Sequence, residues 1–240
     1  MAYKKSSISI PQSYLDIIEQ NKDHKCPPPM HHFCVQVVSA AKLPSRFGNF
    51  FAIGFHQTYD DKEHAAFVKG DVVNKEKVLV RLHSECLTGD AVGSLRCDCR
   101  DQLECALRRI EEEGEGIVLY LRQEGRGIGL TNKLKAYQLQ DQGMDTVEAN
   151  LALGFENDMR DYHLAGHMLK SLGVKSIRLL TNNPKKLIEL QKWQIEITER
   201  VKHIFPNNPY NVQYLETKKK RSGHLLDPNM TADQYLHQKH

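Results

Sequence analysis

Cys86, Cys97 and Cys99 lie in the run HSECLTGDAVGSLRCDC, with ten residues between the first two and one between the last two. Thiols so spaced can converge on one ion. A C-x-C pair reaches a single centre where the backbone turns tightly, and the HSEC segment at the end of a strand-like run brings the third sulfur. A structural zinc is normally closed by four protein ligands, whereas a catalytic zinc keeps a position for water, so three thiols point to chemistry. Two other readings stand beside this one. His83 or Glu85 could close the site as a fourth ligand, or the cysteines could be small apolar core residues. Their neighbours Ser94, Arg96 and Asp98 are poor company for a dry core.

Three thiolates leave a divalent metal with net negative charge, so water held there is a weaker acid than on a histidine-ligated zinc. Help from a base is expected. Glu85 and His83 flank the thiols, and Asp158 is a more distant candidate that is equally able to cap a following helix, with Asp161 three residues on. In RQEGRGIGL, alternate glycines between a strand and a helix allow backbone N–H groups and the helix dipole to face an anion. The spacing differs from the dinucleotide fingerprint, and a plain tight turn is the alternative. Arg126 in this turn and Lys186 in TNNPKK add charge where backbone donors converge. Cys26, His31, His32 and Cys34 could form a second metal site, although a proline-rich arm with scattered thiols accounts for them as well.

The elements that must position these groups follow from periodicity. VQVVSA, FFAIGF, AAFVKG and VLVRLH read as four strands in succession and predict a mostly antiparallel first half. Leu103, Ala106, Leu107 and Ile110 recur at helical spacing, with Asp101 and Glu104 as a capping pair and Gly114 as the stop. IVLYL then predicts a strand leading through the glycine turn into a helix over NKLKAYQLQD. A further helix carries Leu164, Met168, Leu169 and Leu172, and IRLL runs into an Asn183-capped helix with Pro184 at its first position. NVQYLETKKKR predicts a last helix, stopped near Gly223, whose Lys218 to Arg221 form a solvated face. The expected class is α/β or α+β, a mixed sheet with surrounding helices in one domain. Residues 1–34, with a short amphipathic stretch at Tyr14 to Ile18 and a proline run, read as a flexible arm, 35–226 as the domain, and 227–240 as a loosely held tail.

The chain has 240 residues, a formal charge of +3 and a pI near 8.4, well short of the basic footprint of a nucleic-acid binder. Basic residues instead punctuate turn-like motifs (Arg81, Arg126, Arg160, Lys185, Lys186), a distribution suited to phosphates. No apolar run is long enough to span a bilayer, and the opening MAYKKSSISI has no signal stretch. A reducing cytoplasm is therefore expected, where clustered cysteines bind metals or do chemistry more often than they crosslink.

Taken together, RLHSECLTGD, RCDC, RQEGRGIGLTNKLKAYQLQDQGMDTVEAN, LTNNPKK and NPYN resemble GTP cyclohydrolase II over roughly Val35 to Leu226. The resemblance implies that GTP is the small-molecule substrate and that zinc and magnesium are used. The imidazole ring is opened, carbon 8 leaves as formate, and pyrophosphate is cleaved to leave a diaminopyrimidinone ribosyl phosphate, the first step of riboflavin synthesis. By motif position, Cys86, Cys97 and Cys99 match the zinc ligands that activate water. Arg81, Leu82, His83, Ser84, Glu85, Gln102, Glu124, Gly125, Arg126, Thr146, Thr181 and Lys186 match nucleotide-binding positions. Asp158 matches the proton acceptor and Arg160 the nucleophile toward the phosphate chain, although a guanidinium suits charge stabilisation at least as well. Tyr137 matches a residue that orders water or the base. The resemblance also implies a homodimer. The family often joins this domain to a dihydroxybutanone-phosphate synthase, for which a 34-residue arm is too short, so a monofunctional chain is expected.

Two positions depart from the family. Arg100 follows RCDC where glycine is usual, and Gly93 stands where a bulkier apolar residue is common. If that glycine has φ > 0, Arg100 costs about 1–2 kcal/mol, and its side chain is a candidate phosphate contact. Two further readings remain open: the same ring opening in a specialised pteridine-like or deazapurine-like pathway, and a non-catalytic GTP-binding protein. The presence of Asp158, Arg160 and all three cysteines argues against the latter.

Overall fold

The computed structural model describes residues 8–25, 34–206, 208–223 and 225. Seven strands form one sheet: β1 (Val35–Ser45), β2 (Gly48–Gln57), β3 (Ala65–Lys69), β4 (Val78–Ser84), β5 (Gly116–Leu121), β6 (Ser176–Leu180) and β7 (Glu196–Val201). Their order is β1-β2-β3-β5-β4-β6-β7. The mixed α/β class is as expected, but the strands do not simply follow one another. β1, β2 and β3 form an antiparallel meander that continues onto β5, whereas β4 pairs parallel with β5 on one side and β6 on the other. The reason is burial. β4 reads VLVRLHS and is buried at every position but its last, the pattern of a central parallel strand covered on both faces.

Side-chain alternation divides the core. Val78, Val80, Leu82, Ile117, Leu119, Ile177 and Leu179 point to one face, joined by α6 (His163–Ser171) and Leu190 of α7 (Pro184–Lys192). Leu79, Val118 and Leu180 point to the other, where Ala106 and Ile110 of α3 (Cys99–Glu113) cover them. α3 starts two residues before the expected capping pair. Asp98 is its N-cap residue without a side-chain cap bond, and Glu104 instead pairs with Arg100 at 3.0 Å, so the capping box is not formed. Gly114 ends α3 in the left-handed conformation, φ 75°, as expected.

The remaining helices are α2 (Leu87–Asp90), α4 (Leu130–Asp141), α5 (Thr146–Ala152) and α8 (Val212–Ser222), with a 3-10 turn at Glu124–Gly127. α5 was not foreseen, though DTVE carries its capping box, with Asp145 accepting from Val147 and Glu148 N–H and Glu148 reaching back to Asp145 N–H. Arg221 on the last turn of α8 is not purely solvated: it pairs with Asp145 at 3.1 Å. The possible Cys26, His31, His32 and Cys34 site and the tail lie largely or wholly outside the described residues. Among the described residues no helix is long and apolar enough to cross a membrane.

The described part of the expected arm is held rather than loose. α1 (Gln12–Asn21) packs on the sheet, and Tyr14 is fully buried in the larger core. Its hydroxyl donates to Gly70 O at 2.9 Å and accepts from Val72 N–H at 3.2 Å. Tyr14→Phe keeps the ring but strands both backbone groups, which should cost about 1–3 kcal/mol. Denaturant unfolding checks this, and an unchanged midpoint would show that α1 contributes little to the domain.

Candidate active site

Ligand sites in open α/β sheets form outside the carboxyl ends of the strands where the strand order reverses. Here that point is β4, which the chain leaves for β5 on one side and β6 on the other. The ends of these strands deliver Ser84 to Cys86, Gln123 to Arg126, and Thr181 to Asn183 to one crevice.

At its centre Cys86, Cys97 and Cys99 present sulfurs that all lie within 4.8 Å of one another. The Cys86 and Cys97 sulfurs are 3.7 Å apart. Ligands about 2.3 Å from a tetrahedral zinc lie roughly 3.8 Å from each other, so the donor set fits such an ion. Gly89 completes the cradle: a Cβ there would lie 3.0 Å from Cys97 Sγ and 3.1 Å from Cys86 Sγ. The thiols share protons unequally. Hydrogen bonds from Cys97 and Cys99, aided by Lys133, pull the Cys86 thiol far below its ordinary value against the effect of burial. Cys97 is pushed up to about 12, chiefly by its bond to Cys86. Among the described residues no disulfide is present.

The backbone leading into the triad is pinned from two sides. Asp90 accepts from Cys86 N–H at 3.0 Å and from the Tyr120 hydroxyl at 2.9 Å, and both its oxygens lie 3.0 Å from His83 Nε2. His83 is thus oriented by Asp90 rather than offered to the metal, and burial lowers its pKa. Glu85 is held by Arg122 Nε at 2.9 Å. The other pin is Glu124, whose Oε2 accepts from Leu87 N–H at 2.6 Å while Oε1 accepts from Gly125 N–H at 2.9 Å and Lys133 Nζ at 2.7 Å.

Two cavities meet in this crevice. One is walled by the thiols with Glu124, Lys133, Tyr137 and Thr146; the other, beyond Cys99, by Arg81, Gln102, Thr181, Asn183, Lys186 and His203. They share Ser84, Cys99, Arg126, Arg160 and Tyr214. The second is rich in buried cations already held by the protein. Arg81 donates to Leu180 O at 3.1 Å and to Gln102, and burial lowers its pKa to about 10. Lys186 Nζ donates to Leu82 O at 2.6 Å. Arg81 Nε has no protein partner, a buried donor left for a guest.

The anion pocket is therefore made of converging side chains, not of a glycine nest. Gly125 and Arg126 both adopt left-handed backbone, φ 62° and 61°, but the Gly125 N–H is taken by Glu124 itself, and of this turn only Arg126 reaches the cationic cavity. Two predicted residues line neither cavity: Leu82 is core and contributes only its carbonyl, and Asp158 lies behind Arg160. Asp158 caps no helix, since α6 begins at His163 and it is Asp161 that accepts from His163 N–H. Instead its carboxylate takes Arg160 Nε at 2.9 Å and NH2 at 2.6 Å. Burial opposes its ionisation, but these bonds and the Arg160 charge win and place its pKa at about 2.

Arg100 is not strained. It sits in the first turn of α3, and among the described residues only Asn74, Lys77, Arg126 and Gln194 combine a side chain with positive φ. Its guanidinium lines neither cavity and turns into the space over Gly93, 2.9 Å from where a Cβ would stand. Lys133, Tyr214 and His203 were missed from the sequence. Lys133 sits on the face of α4 toward the thiols, one turn before Tyr137, a spacing that was available; Tyr214 and His203 come from segments with no chemical motif.

An open mixed sheet with a thiol triad that could hold a metal, beside a cation-lined cavity at its switch point, defines the class: an α/β protein with a candidate metal and anion site. The chain belongs to the GTP cyclohydrolase II family, whose model matches residues 35–202. It is 58% identical over 185 residues to the riboflavin biosynthesis protein RibBA of Bacillus mycoides, covering 77% of this chain and 47% of that protein. The RibBA of Bacillus cereus is 55% identical over 197 residues, covering 82% and 50%. The chain thus spans about half the length of the curated relatives it matches. Among solved structures, RibBX, a two-domain 3,4-dihydroxy-2-butanone 4-phosphate synthase from A. baumannii, aligns over 70% of this chain and 38% of that one, with 14% identity and a TM-score of 0.35, too slight to inform the fold.

Gly89→Ala should force the sulfurs apart by a few tenths of an ångström and lower zinc affinity, read by competition with a chromophoric chelator; parent-like affinity would show that the triad does not need this cradle. The Asp158–Arg160 pair predicts a pH effect. Because the folded carboxyl pKa is depressed, its contribution of about 2 kcal/mol is complete above the unfolded value near 4 and is lost as pH falls through about 2. The stability gap between the parent and Asp158→Asn should shrink accordingly between pH 5 and pH 2. A pH-independent gap would contradict the pairing.

Proposed function

We propose that this chain is a zinc-dependent hydrolase that opens the imidazole ring of GTP, releasing formate and pyrophosphate to give 2,5-diamino-6-(5-phosphoribosylamino)pyrimidin-4-one, the first step of riboflavin biosynthesis. The observation that carries it is the shared wall of the two cavities: a purine placed against the thiols leaves its phosphates among Arg81, Arg126, Arg160 and Lys186. Soft thiolate donors favour zinc, which when bound supplies Lewis acidity toward water beside the purine. Magnesium accompanies the triphosphate.

The residues of the chain then divide the work. Arg81 and Lys186, already fixed by backbone carbonyls, grip phosphate without further ordering. Arg160 stays protonated: although burial opposes its charge, Tyr162 and Asp158 raise its pKa above the ordinary value. It therefore stabilises charge on the phosphate chain rather than attacking it. While Asp158 holds Arg160 it is a poor base; a phosphate that draws the guanidinium away frees the carboxylate to accept a proton. Tyr137, with its hydroxyl 3.4 Å from Thr88 Oγ1 beside the thiols, orients the base or a water. The reading extends to a homodimer in a cytoplasm that keeps the thiols reduced.

Purified protein given GTP and magnesium should yield formate and pyrophosphate in step with loss of purine absorbance. Intact GTP in a sample with full zinc occupancy would sink the proposal. Cys97→Ser should lower zinc content and ring opening together, whereas ring opening by zinc-free protein would remove the metal from the mechanism.

A further inference from the structure

Lys133 is buried, only 8% exposed, in the first turns of α4, where a lysine survives only if its charge is paired. Its ammonium donates to three acceptors: Cys86 Sγ at 3.1 Å, Thr88 Oγ1 at 2.9 Å and Glu124 Oε1 at 2.7 Å. An ammonium has three protons, so its donor capacity is filled with none left for substrate. The stem is boxed in as well. A Cβ on Gly125 would lie 3.0 Å from Lys133 Cβ and 3.1 Å from Ile128 Cγ1, so the left-handed glycine turn leaves room for these two side chains.

We propose that Lys133 is the positioning residue of the metal centre, the fixed countercharge that aims the Cys86 sulfur at the ion and couples the thiols to the Glu124 turn. Three thiolates around a divalent ion carry one net negative charge, and burying that charge without a partner is costly. Lys133 sets its positive charge directly against that centre through a charge-assisted hydrogen bond to one ligand, with the balancing carboxylate on its far side. Glu124 in turn holds Lys133 and, through Leu87 N–H, the backbone that follows Cys86. Outer partners of this kind set ligand orientation in metal sites. Lys133 is among neither the thiols nor the phosphate-binding cations. The inference rests on the metal of the proposed function but not on GTP as the substrate.

The test uses the full chain, metal-free and then loaded with zinc or with cobalt, whose thiolate charge-transfer bands report the sulfurs directly. Lys133→Met keeps the length of the side chain but removes charge and donor; Lys133→Gln keeps a neutral donor. The methionine variant should bind zinc about 10- to 100-fold more weakly by chelator competition, with its cobalt charge-transfer band moved to lower energy because the sulfur lone pair has lost its hydrogen bond. The glutamine variant should fall between it and the parent in both measurements. A folded methionine variant with parental affinity and band position overturns the inference. So does one that loses only metal-free thermal stability, since that marks a packing role. If the methionine variant does not fold, the glutamine variant carries the test: a parental band with parental affinity overturns the proposal, and a shifted band with weakened affinity supports it. None of these measurements involves GTP, so failure here leaves ring opening to be judged by its own products.

Discussion

Everything at the site depends on β4 being a central parallel strand. The registers set Ser84 opposite Leu121 of β5 and Val80 opposite Leu179 of β6, so three parallel strands release their chains at the same edge of the sheet. Each end then continues into a loop with a different chemistry: carboxylate and thiol after β4, carboxylate and arginine after β5, amide and lysine after β6. Were the meander to continue from β3 through β4 to β5, β5 would run antiparallel to β4 and RQEGRG would emerge at the opposite edge from HSEC. The long crossover through α3 is what parallel pairing requires, and the segment that opens it, through α2, folds Cys97 and Cys99 back onto Cys86 before α3 sets off.

The second theme is that charge in the crevice is placed before any ligand arrives. Arg160 rests on Asp158, Arg81 on a carbonyl of β6, and Lys186 on a carbonyl of β4. A cation held this way loses little side-chain freedom on meeting a phosphate, so the interaction is not spent on ordering. The pairs also keep buried charges from destabilising the fold. In the Asp158–Arg160 pair these two purposes compete, because the bond that makes Arg160 cheap to bury is the one that silences Asp158.

Much of this could be read in the sequence, and for a physical reason. Strand-turn-helix junctions carry their own signals, so IVLYL with its glycine turn and IRLL with its Asn-Pro cap were legible, as was the thiol triad. Pairing partners were not: the apolar run marks VLVRLH as a strand but not which strand lies beside it. β7 escaped because an edge strand reading EITERV is largely polar. Glu124 matched a nucleotide-binding position through the family resemblance; that its oxygens also hold Leu87, Gly125 and Lys133 could not be read from the motif. The sequence around Lys133, NKLKAY, looks like an ordinary helix surface, and only the packing of α4 over the triad reveals which lysine is inside.

Gly93 and Arg100 show what such packing implies for comparing sequences. Each alone reads as an oddity, one a missing side chain and the other a bulky residue where none is usual. In space they are a single unit, the guanidinium of one filling the void left by the other. Position 93 also has backbone φ 74°, so a side chain there is strained whatever stands at position 100, whereas bulk at position 100 needs the space that Gly93 leaves open. A lineage crossing from one arrangement to the other would do so most easily by losing side-chain bulk at position 93 before gaining it at position 100, so order of change, and not only its content, is written into this corner of the fold.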